Sequence, residues 1–196
     1  MTKSSAVDLL RAESGRNPNA GTRTPGTKLS SVLPLTEVLV VADCWQTESD
    51  AEAVIHRAID AAAEIADADV GDAELAIMLT DDSGIRTLNS NWRGIDRPTN
   101  VLSFPALQPT GAAMPDDAPR MLGDIAIAYE TTRKEADDEQ KPFDHHLSHL
   151  AVHGFLHLIG YDHEKDADAE AMEALEREIL AQLGIPDPYA DRERMD

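Results

Sequence analysis

At 196 residues the chain is long for one domain and short for two. A hydrophobic fraction of 42% allows a sizeable core, while a net charge of −20 excludes a uniformly basic nucleic-acid binder, which works by displacing counterions from phosphates. The single cysteine, Cys44, excludes an internal disulfide and is read as a small buried hydrophobe.

Residues 1–33 differ in kind from the rest. They hold five basic residues (Lys3, Arg11, Arg16, Arg23, Lys28) against two acidic ones (Asp8, Glu13), a net of +3 that leaves −23 on the remainder. With Gly15, Gly21, Gly26, Pro18 and Pro25 and few large apolar residues, this segment cannot offset its ordering entropy and is expected to be a disordered tail. Order is expected from about Leu35, with Val38–Val41 as a first strand. Ala51, Val54, Ile55, Ala58, Ala62 and Ile65 recur at helical spacing over 51–66. Glu74–Thr80 reads as a strand, Asp81–Asn91 as a helix, and Val101–Phe104 and Ile125–Tyr129 as further strands. The Pro-rich stretch Pro105–Pro119 between them reads as a loop. A helix over about Phe143–Ile159 stops at Gly160, and Met172, Leu175, Ile179 and Leu183 mark a last helix closed by Gly184 and Pro186. The pattern is one α+β domain over 34–186, a short mixed β-sheet packed against helices, followed by a polar C-terminal tail at 187–196. No apolar run reaches the ~18 residues of a membrane helix, and the N-terminus lacks a signal peptide's apolar block. A cytoplasmic protein with no membrane and no DNA partner is expected.

Four of the seven histidines, His146, His149, His153 and His157, fall at steps of three, four and four and form one stripe on a helix. His163 completes an H-x3-H-x5-H pattern behind Gly160. Imidazoles at i and i+4 stand about 5–6 Å apart at Cβ, so both can reach one ion at about 2.0–2.1 Å. A third ligand must come from beyond the helix, and Gly160 can take the positive φ that such a turn requires. Three protein ligands leave a fourth tetrahedral position for water, the catalytic pattern for zinc, and one Zn2+ per chain is expected. A metzincin-type peptidase would carry Glu as general base at position 154, where this chain has Gly154. His149 is a candidate for lining the cleft. Asp124 and Asp162 are candidates for orienting a ligating imidazole, against a strand-edge hydrogen bond for the first and a turn cap for the second.

The stretch His153-Gly154-Phe155-Leu156-His157-Leu158-Ile159-Gly160-Tyr161-Asp162-His163 resembles the signature of the YbeY family of bacterial metal-dependent endoribonucleases, H-G-x-L-H-L-x-G-Y-D-H, at every fixed position. Leu88–Arg93, leading into Pro98–Pro105, and Leu122-Gly123-Asp124-Ile125 resemble two further family elements, so that the resemblance spans about 36–184. It implies a zinc-dependent, single-strand-specific endoribonuclease that matures the 3′ end of small-subunit (16S) rRNA and serves ribosome quality control. It implies His153, His157 and His163 as zinc ligands and Arg93 as the catalytic cleft arginine that holds the RNA phosphate. Single-stranded RNA is then the substrate, and the small ribosomal subunit or its assembly factors are partners. Asn100 stands where the family usually has Asp, and Trp92 where Tyr is common. Two other readings stay open: a metal hydrolase of another class, and a ribosome-assembly module in which zinc is structural. Whether the RNA 2′-OH or water attacks is not decided by these residues.

Overall fold

A computed structural model describes residues 33–71, 73–106, 120–163 and 165–190. The expected tail over 1–33 therefore lies outside the described residues except for Leu33, which packs against the core. Four strands form one mixed sheet: β1 (Leu35–Val40), β2 (Ala73–Thr80), β3 (Val101–Pro105) and β4 (Arg120–Ala128). Their order is β1-β2-β4-β3, with β1, β2 and β4 parallel and β3 antiparallel to β4.

Alternation along the two central strands sorts the core into two faces. Leu75, Ile77 and Leu79 of β2 and Ile125 and Ile127 of β4 point to one face. There they meet α1 (Ala51–Ile65), α4 (Phe143–Leu158) and α5 (Asp166–Gln182). Ala76 and Met78 of β2 and Ala126 and Ala128 of β4 point to the other, against Ile85 and Leu88 of α2 (Asp82–Arg93). Asp81 caps α2, its side chain accepting from the Gly84 amide at 2.7 Å. Expectation and structure agree on the α+β class and on most elements, with shifted ends.

Three differences have physical causes. The last strand begins at Arg120, not Ile125, and ends before Tyr129, which starts a helix, α3 (Tyr129–Asp138). That helix gave no periodic signal because it buries only Thr132 and Ala136. A 3-10 turn over Asp43–Thr47 carries Trp45 into the core, where its indole Nε1 donates to the Thr80 carbonyl at 2.8 Å. Cys44 on that turn is only half-buried, contrary to its reading as a buried hydrophobe, because Trp45 takes the inward position. Pro105 belongs to β3 and Ala106 pairs with the Leu122 carbonyl; the rest of the expected loop, 107–119, lies outside the described residues.

The histidine-bearing helix is anchored at its N-terminal end by an aromatic cluster. Trp45, Tyr129 and Phe143 stack edge-on or tilted at 5.3–5.9 Å between ring centres. Arg133 of α3 covers the Phe143 ring at 3.9 Å and pairs with Glu48. Among the described residues, no helix is long and apolar enough to cross a membrane.

Candidate metal centre

Helix α4 is two-faced. Leu147, Leu150, Ala151, Phe155 and Leu156 are buried in the core, and the histidine stripe occupies the polar side. Gly154 faces β3 and β4: a β-carbon there would meet Ile125 at 3.0 Å and Ser103 Oγ at 3.1 Å. Position 154 therefore serves close helix–sheet packing, and the base of a metzincin-type peptidase has no place at it. The helix ends at Leu158, Gly160 takes φ +102°, and the chain reverses so that His163 returns beside the stripe.

Three ring nitrogens converge. The Nε2 atoms of His153 and His157 are 3.1 Å apart, and one nitrogen from each of His153, His157 and His163 lies within 4.8 Å of the others. The His163 ring is 5.5 Å from that of His153 and 5.0 Å from that of His157, centre to centre. The other nitrogens fix the tautomers. His157 Nδ1 donates to the Tyr161 carbonyl at 3.0 Å, and His153 Nδ1 donates to Glu176 Oε1 at 2.8 Å. Both Nδ1 protons are thus committed, and two Nε2 lone pairs face each other. Such a pair repels unless a cation lies between them, and a divalent ion with nitrogen-ligand chemistry fits the donor set.

Of the two alternatives for Asp162, the structure has the turn cap: its side chain accepts from the His163 amide at 2.7 Å. Asp124 is buried in β4, opposite Phe104 of β3, and the Nδ1 atoms of His153 and His157 are held by Glu176 of α5 and the Tyr161 carbonyl. The second oxygen of Glu176, Oε2, accepts from His149 Nε2 at 3.3 Å and from the Tyr189 hydroxyl. Burial works against the Glu176 charge, but the hydrogen bonds from His149, His153 and Tyr189 outweigh it and hold the carboxyl at about 2. Burial lowers His157 from its ordinary value, and the neighbouring His153 adds to that, favouring the neutral imidazole a metal requires.

A cavity of about 690 Å³ opens beside the cluster, with Asn100, Glu135, His149, His153, Glu176 and Tyr189 among its walls. His149 thus lines the cleft. Across from it, Glu135 Oε2 accepts from His146 Nε2 at 2.9 Å and from Asn100 Nδ2 at 3.0 Å. The amide at Asn100 can donate to this carboxylate where an aspartate would repel it. Arg93, the last residue of α2, is exposed and is not part of the cavity wall. The structure brings the three histidines together and leaves the arginine outside them.

Glu176 and Tyr189 were not foreseen from the sequence. A signal for Glu176 existed: it sits in the apolar stripe of α5 with Met172, Ile179 and Leu180, and is fully buried. A carboxylate at such a position needs a partner.

Fold and cluster together define a single-domain α+β protein with three converging histidines, on one helix and its terminal turn, that could hold a metal ion. The family model for Endoribonuclease YbeY matches residues 42–184. A protein named Endoribonuclease YbeY from Bradyrhizobium sp. (strain BTAi1) is 80% identical over 85% of this chain and 98% of its own length. One of the same name from Nitrobacter hamburgensis is 73% identical over 96% of this chain and 100% of its own. A third, from Rhodopseudomonas palustris (strain BisB18), is 78% identical over 84% and 97%. The chain belongs to the Endoribonuclease YbeY family, and with that membership it is a hydrolytic nuclease acting on RNA.

Proposed function

We propose that this endoribonuclease is zinc-dependent, cuts single-stranded RNA, and acts in the cytoplasm on the 3′ end of small-subunit rRNA, with the small ribosomal subunit or its assembly factors presenting the substrate. The observation that carries the zinc reading is the meeting of the His153 and His157 Nε2 atoms at 3.1 Å, with His163 beside them. His153, His157 and His163 hold the ion. When bound, it supplies Lewis acidity and positive charge at the phosphodiester.

The remaining work falls to the chain. Glu176 and the Tyr161 carbonyl keep the two helical imidazoles in the ligating tautomer. Arg93, whose guanidinium offers a planar fork of donors, holds a phosphate oxygen of the RNA and stabilises charge that grows there. The chain's net charge of −20 makes intrinsic affinity for free RNA weak, which favours presentation by a ribosomal partner. Deletion of residues 1–33 is expected to leave folding and cleavage nearly unchanged, at the cost only of the contact Leu33 makes with the core.

Single-turnover cleavage of a defined single-stranded RNA tests this reading. Arg93→Ala keeps its metal and melting temperature and loses about 10²–10³ in rate, the size of effect seen when one transition-state donor is removed. Wild-type rates in Arg93→Ala would remove the arginine from the mechanism. Undiminished cleavage by wild-type protein stripped of metal would overturn zinc dependence.

A further inference from the structure

The match to the family model ends at residue 184, but the chain does not leave the site there. After α5, residues 185–190 turn back across the cavity. Lys141 Nζ donates to the Pro188 carbonyl at 3.2 Å, and Arg177 pairs with Asp187 at 3.5 Å while covering the Tyr189 ring at 5.2 Å. Tyr189 is thereby seated with its ring edge-on to His149, 5.7 Å between centres, and its hydroxyl aimed at the site. That hydroxyl donates to Glu176 Oε2, the oxygen also used by His149, and lies 3.3 Å from His149 Nε2. The other oxygen of the same carboxylate holds His153 Nδ1. A continuous chain of hydrogen bonds therefore runs from the C-terminal segment to a candidate ligand: Tyr189 hydroxyl, Glu176, His153.

We infer that Tyr189 is a positioning residue of the metal centre, fixing the rotation of the Glu176 carboxylate so that His153 presents Nε2 to the ion. The inference rests on the three-histidine reading above. Its physical basis is that a carboxylate with both oxygens engaged cannot swing away from the imidazole it orients. With the hydroxyl gone, Oε2 keeps only the longer contact to His149, and Glu176 gains freedom to share itself between the two imidazoles. A segment expected to be the start of a polar tail becomes a strap that belongs to the site. The aromatic ring is not what the inference needs; the hydroxyl is.

The test is Tyr189→Phe, which keeps the ring packed on His149 and under Arg177 and removes only the oxygen. Zn2+ affinity is measured on the full chain by competition with a chromophoric chelator, beside the melting temperature of the metal-free protein. Loss of an outer partner of a metal ligand weakens binding 10- to 100-fold. Because this hydroxyl acts through Glu176, a loss of about tenfold is expected, with the metal-free melting temperature unchanged within about 2 °C. Wild-type affinity in Tyr189→Phe overturns the inference. So does weaker binding that comes with a matching fall in metal-free stability, since Tyr189 would then be packing only. His157→Ala separates the two levels: if it binds Zn2+ as wild type does, the three-histidine site itself fails. If His157→Ala loses Zn2+ and Tyr189→Phe does not, only the role of Tyr189 fails.

Discussion

The two faces of the sheet are built from the same strands and do different work. On one, Leu75, Ile77, Leu79, Ile125 and Ile127 present large side chains to three helices; on the other, Ala76, Met78, Ala126 and Ala128 present mostly small ones to one helix. The large face holds α4 so firmly through Phe155, Leu147, Leu150 and Leu156 that its opposite side can carry four histidines without losing its place. The small face holds α2 through Ile85 and Leu88, with Trp92 only partly covered, and ends in the exposed Arg93. The candidate metal ligands thus ride on the deep core and the candidate phosphate ligand on the shallow one. The difference teaches that precise convergence, which an ion demands, is placed where packing is densest, whereas a long guanidinium can reach its partner from a lighter anchorage.

Truncation on each face measures that contrast. Leu156→Ala, fully buried on the large face, is expected to cost about 3–5 kcal/mol in denaturant unfolding. Leu88→Ala on the small face is expected to cost about 2–3 kcal/mol, because fewer neighbours surround the void it leaves. Equal losses would mean that the faces are equally packed.

A smaller effect lies on the polar seam between α3, α4 and β3. Burial opposes the charge of Glu135, but the His146 and Asn100 hydrogen bonds hold its carboxyl below the ordinary 4.5. A carboxylate with a lowered folded value adds stability that is present above pH 4.5 and fades as pH falls below it. Glu135→Gln is therefore less stable than wild type near neutrality, and the gap closes on acidification through that window. A gap that widens in acid would contradict the assignment. The least effect is expected from Arg86→Ala, which breaks the exposed pair with Asp96 at 2.7 Å and leaves the melting curve unchanged, as exposed pairs commonly do.

What could be read from the residues follows from where the signal resides. α1 and α5 announce themselves by apolar spacing, because each packs one face on the core, while β2 reads as a short apolar run because both of its faces are buried. The three histidines were legible for a related reason: i, i+4 spacing and a glycine turn are local geometry. α3 was not, since Thr132 and Ala136 are its only buried side chains and it is held by partners distant in sequence, such as Glu48 with Arg133. Glu176 and Tyr189 lie 23 and 36 positions beyond His153, and only the folding of α5 and the strap against α4 brings them to it. Local spacing carries no record of such meetings.

The central claim is that His153, His157 and His163 together hold one metal ion. Zinc content of the purified protein by inductively coupled plasma mass spectrometry, for wild type and His157→Ala prepared alike, tests it most directly. One Zn2+ per wild-type chain and almost none in the variant is the expected result, with both proteins folded by circular dichroism. Equal zinc in the two, or a folded wild-type protein that takes up none when Zn2+ is supplied, would contradict it.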